Sequence, residues 1–592
     1  MRTIFFTIAA ALSAAGLGYA ADRANFPEEK FEVRDNYLLL PMKASAKDSE
    51  VSLLSPDGAV VAQFQGSLAE KDPDWYADID ISAYKGRILD LRYDRQIVKD
   101  LAHFQSAEPE KNAPEDEYGR PGFHLTSNGG AMGQFNGLFY FKGKWRAFYQ
   151  LYPFAADGKY GSYGWGSAVG DNLLIWQNLP AVMRPRFSGG KIEKFLSGGA
   201  YVDTENKSRM FAASGGGVIF AASTNLRPCV LIFSSDLKTF TEASFVPDIK
   251  GEGRNPRIFF NRDYGLWTIV RAEKTARNSD AFAAVIYVSK DLSRWEKTAV
   301  LAGLDGDAFS LVKVPPSGAP ESAKWALLDS TGGYVIGDFN GRTFAPASKK
   351  QRIFYGSVGD VAVWGNTPSG NVLVSVLIRQ PEGLMRKLDQ RYTDCMGVPW
   401  ELRLVQVKGG AFQLRAYIPR EIEAHIGEGV QALENGEMEF SGNIFEIAGA
   451  SGNKFLIGGR FFTSNAANII IEVGLASFDY NFGSKSFTIT RSGAEKYLLP
   501  AQVPLNRNII DYRMFVDTCS VELQMGAGEA VLVWGDAFFE DLQQIRIGSA
   551  ADIYTDFMGK FPLFKKPVGE IKADGAKRFD EVLKKLGLDK NK

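Results

Sequence analysis

The sequence predicts an all-β protein built around a β-propeller. The chain is rich in Gly and aromatic residues, and short runs of β-branched and aromatic residues alternate with Gly, Asn and Asp turns. Strand-like runs of this kind include Leu138-Phe-Tyr-Phe141, Trp145-Arg-Ala-Phe-Tyr149, Val218-Ile-Phe-Ala221, Leu266-Trp-Thr-Ile-Val270 and Trp325-Ala-Leu-Leu328. Three segments also resemble one another: Asp171-Asn-Leu-Leu-Ile-Trp176, Ser235-Asp-Leu-Lys-Thr-Phe240 and Lys290-Asp-Leu-Ser-Arg-Trp295. Each follows a strand with an Asp-Leu turn and ends on an aromatic residue. Spaced repetition of one supersecondary unit is the signature of propeller blades.

Along the chain, residues 1–20 read as a targeting segment. Arg2 supplies the positive start, Ile4 to Leu12 the apolar stretch, and Gly18-Tyr-Ala20 a small-residue cleavage site, so a secreted or periplasmic protein cleaved near Ala20 is expected. Residues 22–115 form a small all-β module, with Asn36-Tyr-Leu-Leu-Leu-Pro41, Val51-Ser-Leu-Leu54 and Gly58-Ala-Val-Val-Ala-Gln-Phe64 as strands. The polar run Glu108 to Glu117 is the linker to the propeller at 118–405. Residues 406–565 read as a second sandwich, and 566–592 as an extension whose Phe579, Val582, Leu583 and Leu586 share one helix face.

Composition excludes several classes. Net charge is −1 and no long basic run is present, so neither nucleic acid nor an anionic membrane is an expected partner. No segment after the leader is long and apolar enough to span a membrane. Three widely spaced cysteines, Cys229, Cys395 and Cys519, permit at most one disulfide. With three histidines and no paired-cysteine motif, no metal site and no cofactor are expected.

Function-bearing motifs lie in two places. Residues 121–180 contain Pro121-Gly-Phe-His-Leu-Thr126, Ala131-Met-Gly-Gln-Phe-Asn-Gly137, Lys144-Trp-Arg-Ala-Phe-Tyr-Gln150 and Gly164-Trp-Gly-Ser-Ala168. Far downstream come Asp511-Tyr-Arg-Met-Phe-Val-Asp517, Ser520-Val-Glu-Leu-Gln524 and Glu529-Ala-Val-Leu-Val-Trp534. Together, in this order, they resemble glycoside hydrolase family 32, the invertase, inulinase and levanase family. The resemblance implies five blades, a C-terminal β-sandwich and, from some bacterial fructan hydrolases of the family, an N-terminal β-sandwich. It also implies retaining chemistry, in which one carboxylate attacks the anomeric carbon and a second group protonates the leaving oxygen.

The resemblance places the family's reacting groups on residues unsuited to that chemistry. The nucleophile position falls on Gln134, an amide with no charge to set against an oxocarbenium-like centre. The Arg-Asp-Pro motif reads Gly253-Arg254-Asn255-Pro256, which keeps the guanidinium and replaces the carboxylate. Matching Gly303-Leu-Asp-Gly-Asp-Ala-Phe-Ser-Leu311 to the acid/base segment puts that position on Leu304, with Asp305 beside it as a substitute acid. Asn136, Gln150, Trp165, Ser197 and Arg254 fall where the family contacts sugar. Three of these also have a structural reading, Trp165 as propeller packing, and Gln150 and Arg254 as hydrogen-bonded strand or turn residues.

Three functions follow from this pattern. The first is binding of a fructan-type or related carbohydrate without the usual hydrolysis. The second is an active glycosidase with relocated carboxylates, drawn from Asp157, Glu252, Asp305 and Asp307. The third is a protein-interaction propeller with no sugar site, its partner unspecified by sequence, since the fold hosts many functions.

Overall fold

The computed structural model describes residues 28–562, except 95–97, 99, 102–103, 110–116, 158–162, 189–190, 213–214, 317–321, 427–429, 432–437, 442–443, 448–453, 463–467, 474–475, 492–495, 499–504, 506–508, 538–544 and 549–553. The leader at 1–20 and the helix expected near 572–586 lie outside the described residues. Within them, the chain is almost entirely strands. No described helix is long and apolar enough to cross a membrane.

The N-terminal part forms two small sheets. One orders the strands Glu28–Glu32, Ile88–Tyr93, Ser49–Leu54 and Val60–Gly66; the other orders Trp75–Asp80, Tyr37–Met42 and Gln105–Ser106. Burial alternates along Ser49–Leu54 and Trp75–Asp80, as expected of strands with one face on a core. Leu38, Leu40, Val51, Leu53, Leu89 and Leu91 come from both sheets into one apolar cluster. Phe154 and Tyr163 of the central part join that cluster. Phe154 stacks on Phe64, and the Trp75 indole donates to the Pro153 carbonyl at 2.9 Å.

The central part is a ring of five four-stranded units. Their innermost strands are Gly130–Phe141, Phe195–Asp203, Arg254–Asn261, Phe309–Val314 and Val358–Gly365. Each touches the next, and the last returns to the first through a parallel pairing of Trp364 and Gly365 with Leu138 and Phe139. Closure of this kind leaves no innermost edge exposed. The repeated Asx turns have one location, between the third and fourth strands of a blade. Asn172 Oδ1 accepts the N–H groups of Leu174 and Ile175, Asp236 Oδ1 those of Lys238 and Thr239, and Asp291 Oδ1 those of Ser293 and Arg294. Asn340 does the same for Arg342 and Thr343 in the fourth blade. A short side-chain acceptor that satisfies two turn N–H groups explains why Asx residues recur at this spacing.

Two expected boundaries change. The outermost strand of the fifth blade is Phe412–Tyr417, paired with Trp400–Gln406, so the propeller runs past residue 405. Conversely, Phe354–Gly356, between the fourth and fifth blades, pairs in parallel with Ala530–Gly535 and belongs to a C-terminal sheet. The C-terminal part consists of two seven-stranded sheets around Ile457, Ile471, Phe478, Tyr512, Met514 and Val521.

His124 joins propeller and sandwich. Its Nδ1 lies 2.9 Å from Asp517 Oδ2 and its Nε2 2.8 Å from Glu522 Oε1, with all three side chains fully buried. Asp517 also accepts the Gly122 and Phe123 N–H groups, and Glu522 accepts the Val398 N–H and the Trp400 indole. Burial opposes charge on the imidazole, but the two carboxylates prevail and push its pKa up to about 10. Cys395 and Cys519 meet in the same seam as free thiols, sulfurs 3.4 Å apart; Cys229 is buried elsewhere.

Candidate functional site

The opening residues of the five innermost strands converge at one end of the propeller axis. Four of these strands break register there: Gly130–Phe141 around Gln134, Phe195–Asp203 around Ser197, Arg254–Asn261 around Asn255, and Val358–Gly365 around Gly359. Such bulges bend the strand and re-aim side chains. Glycine makes the crowding tolerable. A Cβ on Gly133 would stand 2.6 Å from the Tyr152 ring and 2.9 Å from Gln150, and one on Gly199 would stand 2.8 Å from the Arg257 backbone. Asn255 takes a left-handed φ of 52°, a region Asn enters more readily than most residues. Its backbone N–H is held by Ser197 Oγ at 2.9 Å.

At the centre stand two amides and one carboxylate. Gln134 donates from Nε2 to Asp307 Oδ1 at 2.8 Å, and Asn255 donates from Nδ2 to Gln134 Oε1 at 3.1 Å. The Asn255 amide also donates to the Asp307 carbonyl at 2.7 Å. Arg254 Nη1 donates to Asp307 Oδ2 at 3.1 Å, and its guanidinium lies over the Phe282 ring. Both oxygens of Asp307 therefore already have donors. Its backbone N–H is held by Ser330 Oγ, which packs against Gly306 in a left-handed turn.

Two further carboxylates lie beside this trio, each in its own ion pair. Asp360 is buried, accepts from Arg257 Nη2 at 2.9 and 3.2 Å, and accepts the Phe135 N–H. Burial raises its pKa and Arg257 only partly offsets that. Asp394 accepts from Arg379 Nη1 at 2.5 Å and from the Gln380 N–H at 2.8 Å; burial again raises its pKa against the pull of Arg379. The Arg379 side chain lies across Gly359, whose added Cβ would stand 2.5 Å from it. Tyr152 donates to Gln150 Oε1 at 2.8 Å beside Gly133.

The structure sorts the sequence-predicted residues into three groups. Gln134, Arg254 and Asn255 meet as described, and Gln150 lies beside them on the first blade. Asn136, Ser197 and Trp165 are all buried, and each has a structural partner. Asn136 Oδ1 accepts the Gly198 N–H across two blades, Ser197 holds Asn255, and Trp165 packs on Phe220 against Gly198. Leu304 and Asp305 are corrected as acid positions. Leu304 is buried in an apolar cluster with Phe309, Trp325 and Phe339. Asp305 turns outward to Lys350 and Arg352. The carboxylate that reaches the axis from this loop is Asp307. No grouping of His, Cys, Asp and Glu suited to a metal ion occurs among the described residues.

Residues 124–414 match the glycosyl hydrolases family 32 N-terminal domain. The chain is a member of glycoside hydrolase family 32. Among its curated relatives, the levanase of Bacillus subtilis is 27% identical over 293 residues, which is 45% of this chain and 41% of the levanase. The invertase of Schizosaccharomyces pombe is 27% identical over 260 residues, 39% of this chain and 43% of that enzyme. The match thus spans less than half the length of either relative. Among solved structures, the exo-inulinase of Aspergillus awamori aligns over 76% of this chain and 99% of its own, with a TM-score of 0.62 and 18% identity. A family 32 hydrolase of Bifidobacterium adolescentis aligns over 90% of this chain and 99% of its own, with a TM-score of 0.59 and 14% identity. These likenesses establish the all-β family 32 fold.

Proposed function

We propose that the axial site of this family 32 member binds a fructan-type or related carbohydrate and does not hydrolyse it by the two-carboxylate mechanism. One observation carries the reading. Gln134 and Asn255 hydrogen-bond to each other and to Asp307, so the centre of the site holds amide groups where glycoside cleavage needs a nucleophile and an acid. Planar amides, a guanidinium on an aromatic face and a tyrosine hydroxyl remain, a set that recognises hydroxyl-rich ligands.

A second reading, glycoside hydrolysis through relocated carboxylates, has Asp307 in its favour. It lacks a partner for it. Asp360 and Asp394 are buried carboxylates each tied to an arginine, and Leu304 offers no proton. The discriminating experiment is titration calorimetry with a levan trisaccharide, paired with product analysis of the same sample. Arg254→Ala is expected to weaken binding tenfold or more, on the order of 1.5–3 kcal/mol for a lost charge-assisted hydrogen bond. Fructose release abolished by Asp307→Asn would instead establish the second reading.

A further inference from the structure

Two of the three cysteines meet in the seam between propeller and sandwich. Cys395 opens the short strand Cys395–Met396, which pairs with Leu377 and Ile378 of the fifth blade. Cys519 lies in the turn between Ile509–Asp517 and Ser520–Met525, a hairpin of the C-terminal sheet. Both residues are fully buried. Their sulfurs stand 3.4 Å apart, against about 2.0 Å in a disulfide. Gln380 holds both segments in place. Its backbone N–H donates to Asp394 Oδ1 at 2.8 Å, and its Nε2 donates to the Cys519 carbonyl at 2.6 Å. The Asp536 N–H donates to the same carbonyl at 3.2 Å. Cys229 packs in another apolar cluster, with Leu231 and Ile269, that contains neither of the other two cysteines.

Small thiols often fill cores as simple apolar groups. Here the pair joins two separate parts of the chain, 124 positions apart in sequence. A bond between them would close a loop that holds Trp400–Gln406 and Phe412–Tyr417 of the fifth blade together with much of the sandwich. Long loops of this kind are where a cross-link restricts the unfolded chain most. We propose that Cys395 and Cys519 are a redox-closable tie between propeller and sandwich, joined by exchange with a low-molecular-weight disulfide such as oxidised glutathione. One cysteine thiolate attacks the oxidant, forms a mixed disulfide and expels one glutathione thiolate. The other cysteine thiolate then attacks the protein sulfur of that mixed disulfide, forms the Cys395–Cys519 bond and expels the second glutathione. The two cysteine protons pass through water to the expelled thiolates, and the oxidant takes up the two electrons that the protein loses. Burial, and after it the neighbouring Cys519 thiol, holds the Cys395 thiol well above its ordinary pKa. Thiolate is therefore scarce in the closed seam, and the bond forms when the seam opens.

The test incubates the reduced full-length protein with oxidised glutathione in urea just below its unfolding midpoint, where the seam opens transiently. A parallel sample is kept in excess dithiothreitol. After the urea is removed, both are mapped by mass spectrometry of unreduced peptides and melted. The oxidised sample is expected to yield one linked peptide pair, Cys395 with Cys519, with Cys229 left free. It should melt about 5 °C or more above the reduced sample. Cys229→Ala should keep that difference, and Cys395→Ala or Cys519→Ala should abolish it. Cys395 and Cys519 left unlinked, or a link through Cys229, would overturn the proposal. So would a Cys395–Cys519 bond that raises the melting temperature by nothing, since it would not brace the seam. If an alanine variant does not fold, the oxidised and reduced wild-type samples decide between these outcomes on their own.

Discussion

Replacing His124 with alanine is expected to destabilise the protein by about 3–5 kcal/mol, the usual cost of breaking a buried ion pair from one side. The reason is the pair of buried carboxylates left behind. Asp517 and Glu522 keep their backbone and indole donors but lose the one cation between them. His124 links the propeller to the sandwich, so separation of the two parts in a calorimetric scan is the expected readout. The pH dependence gives an independent signature. His124 has a folded pKa near 10 against an ordinary 6.5. Its contribution is therefore full below about pH 6.5 and lost as pH rises through about 10. Asp517 has a folded pKa below its ordinary 3.8, because the gain from His124 and the backbone outweighs burial. Its contribution is present above pH 3.8 and lost as pH falls through the lowered value. Wild-type stability should thus hold between these limits and fall on the alkaline side near pH 10. His124→Ala should lack that alkaline limb; a mutant that retains it would show that the seam does not depend on this imidazolium.

Restoring a carboxylate at the nucleophile position is expected to produce no hydrolysis. In Gln134→Asp the shorter side chain loses the donor that Gln134 offers Asp307, and a second negative group enters the same small space. The leaving oxygen still has no proton source. Leu304 is apolar, Asp305 is engaged with Lys350 and Arg352, and Asp307 acts as an acceptor in both of its side-chain contacts. General acid catalysis typically contributes about 10²–10⁴-fold, and catalytic groups that act as a unit are not recovered one at a time. Fructose release from a levan oligosaccharide by Gln134→Asp should therefore match the wild-type background. Brisk release from the single variant would mean that Asp307 serves as the acid, and would make the relocated-carboxylate enzyme the better account.

Much of the fold was legible in the sequence because strands and turns are written locally. The Asx turns at Asn172, Asp236 and Asp291 announce themselves by spacing, and each turns out to cap the same blade connection. The burial of Asn136 was not legible, and that of Trp165 only as one of two readings, since an aromatic ring or an amide beside a bulge faces the core or the axis according to register. The acid-loop reading failed for the same reason. Leu304 and Asp307 are three residues apart, and only the left-handed turn at Gly306 shows which one reaches the axis. Glycines next to the site residues, at positions 133, 198, 253 and 359, were the available clue that bulges would set these directions. The excursion of Phe354–Gly356 into the sandwich had no local signal. It depends on a free edge at Ala530–Gly535, nearly two hundred residues downstream.

The central claim is that the axial amides bind a saccharide that the protein leaves intact. The most direct measurement incubates the purified protein with a levan trisaccharide, titrates binding, and recovers the ligand for mass analysis. The account predicts saturable binding that Arg254→Ala weakens tenfold or more, with the recovered saccharide uncleaved. Saturable binding accompanied by stoichiometric or catalytic fructose release would contradict it.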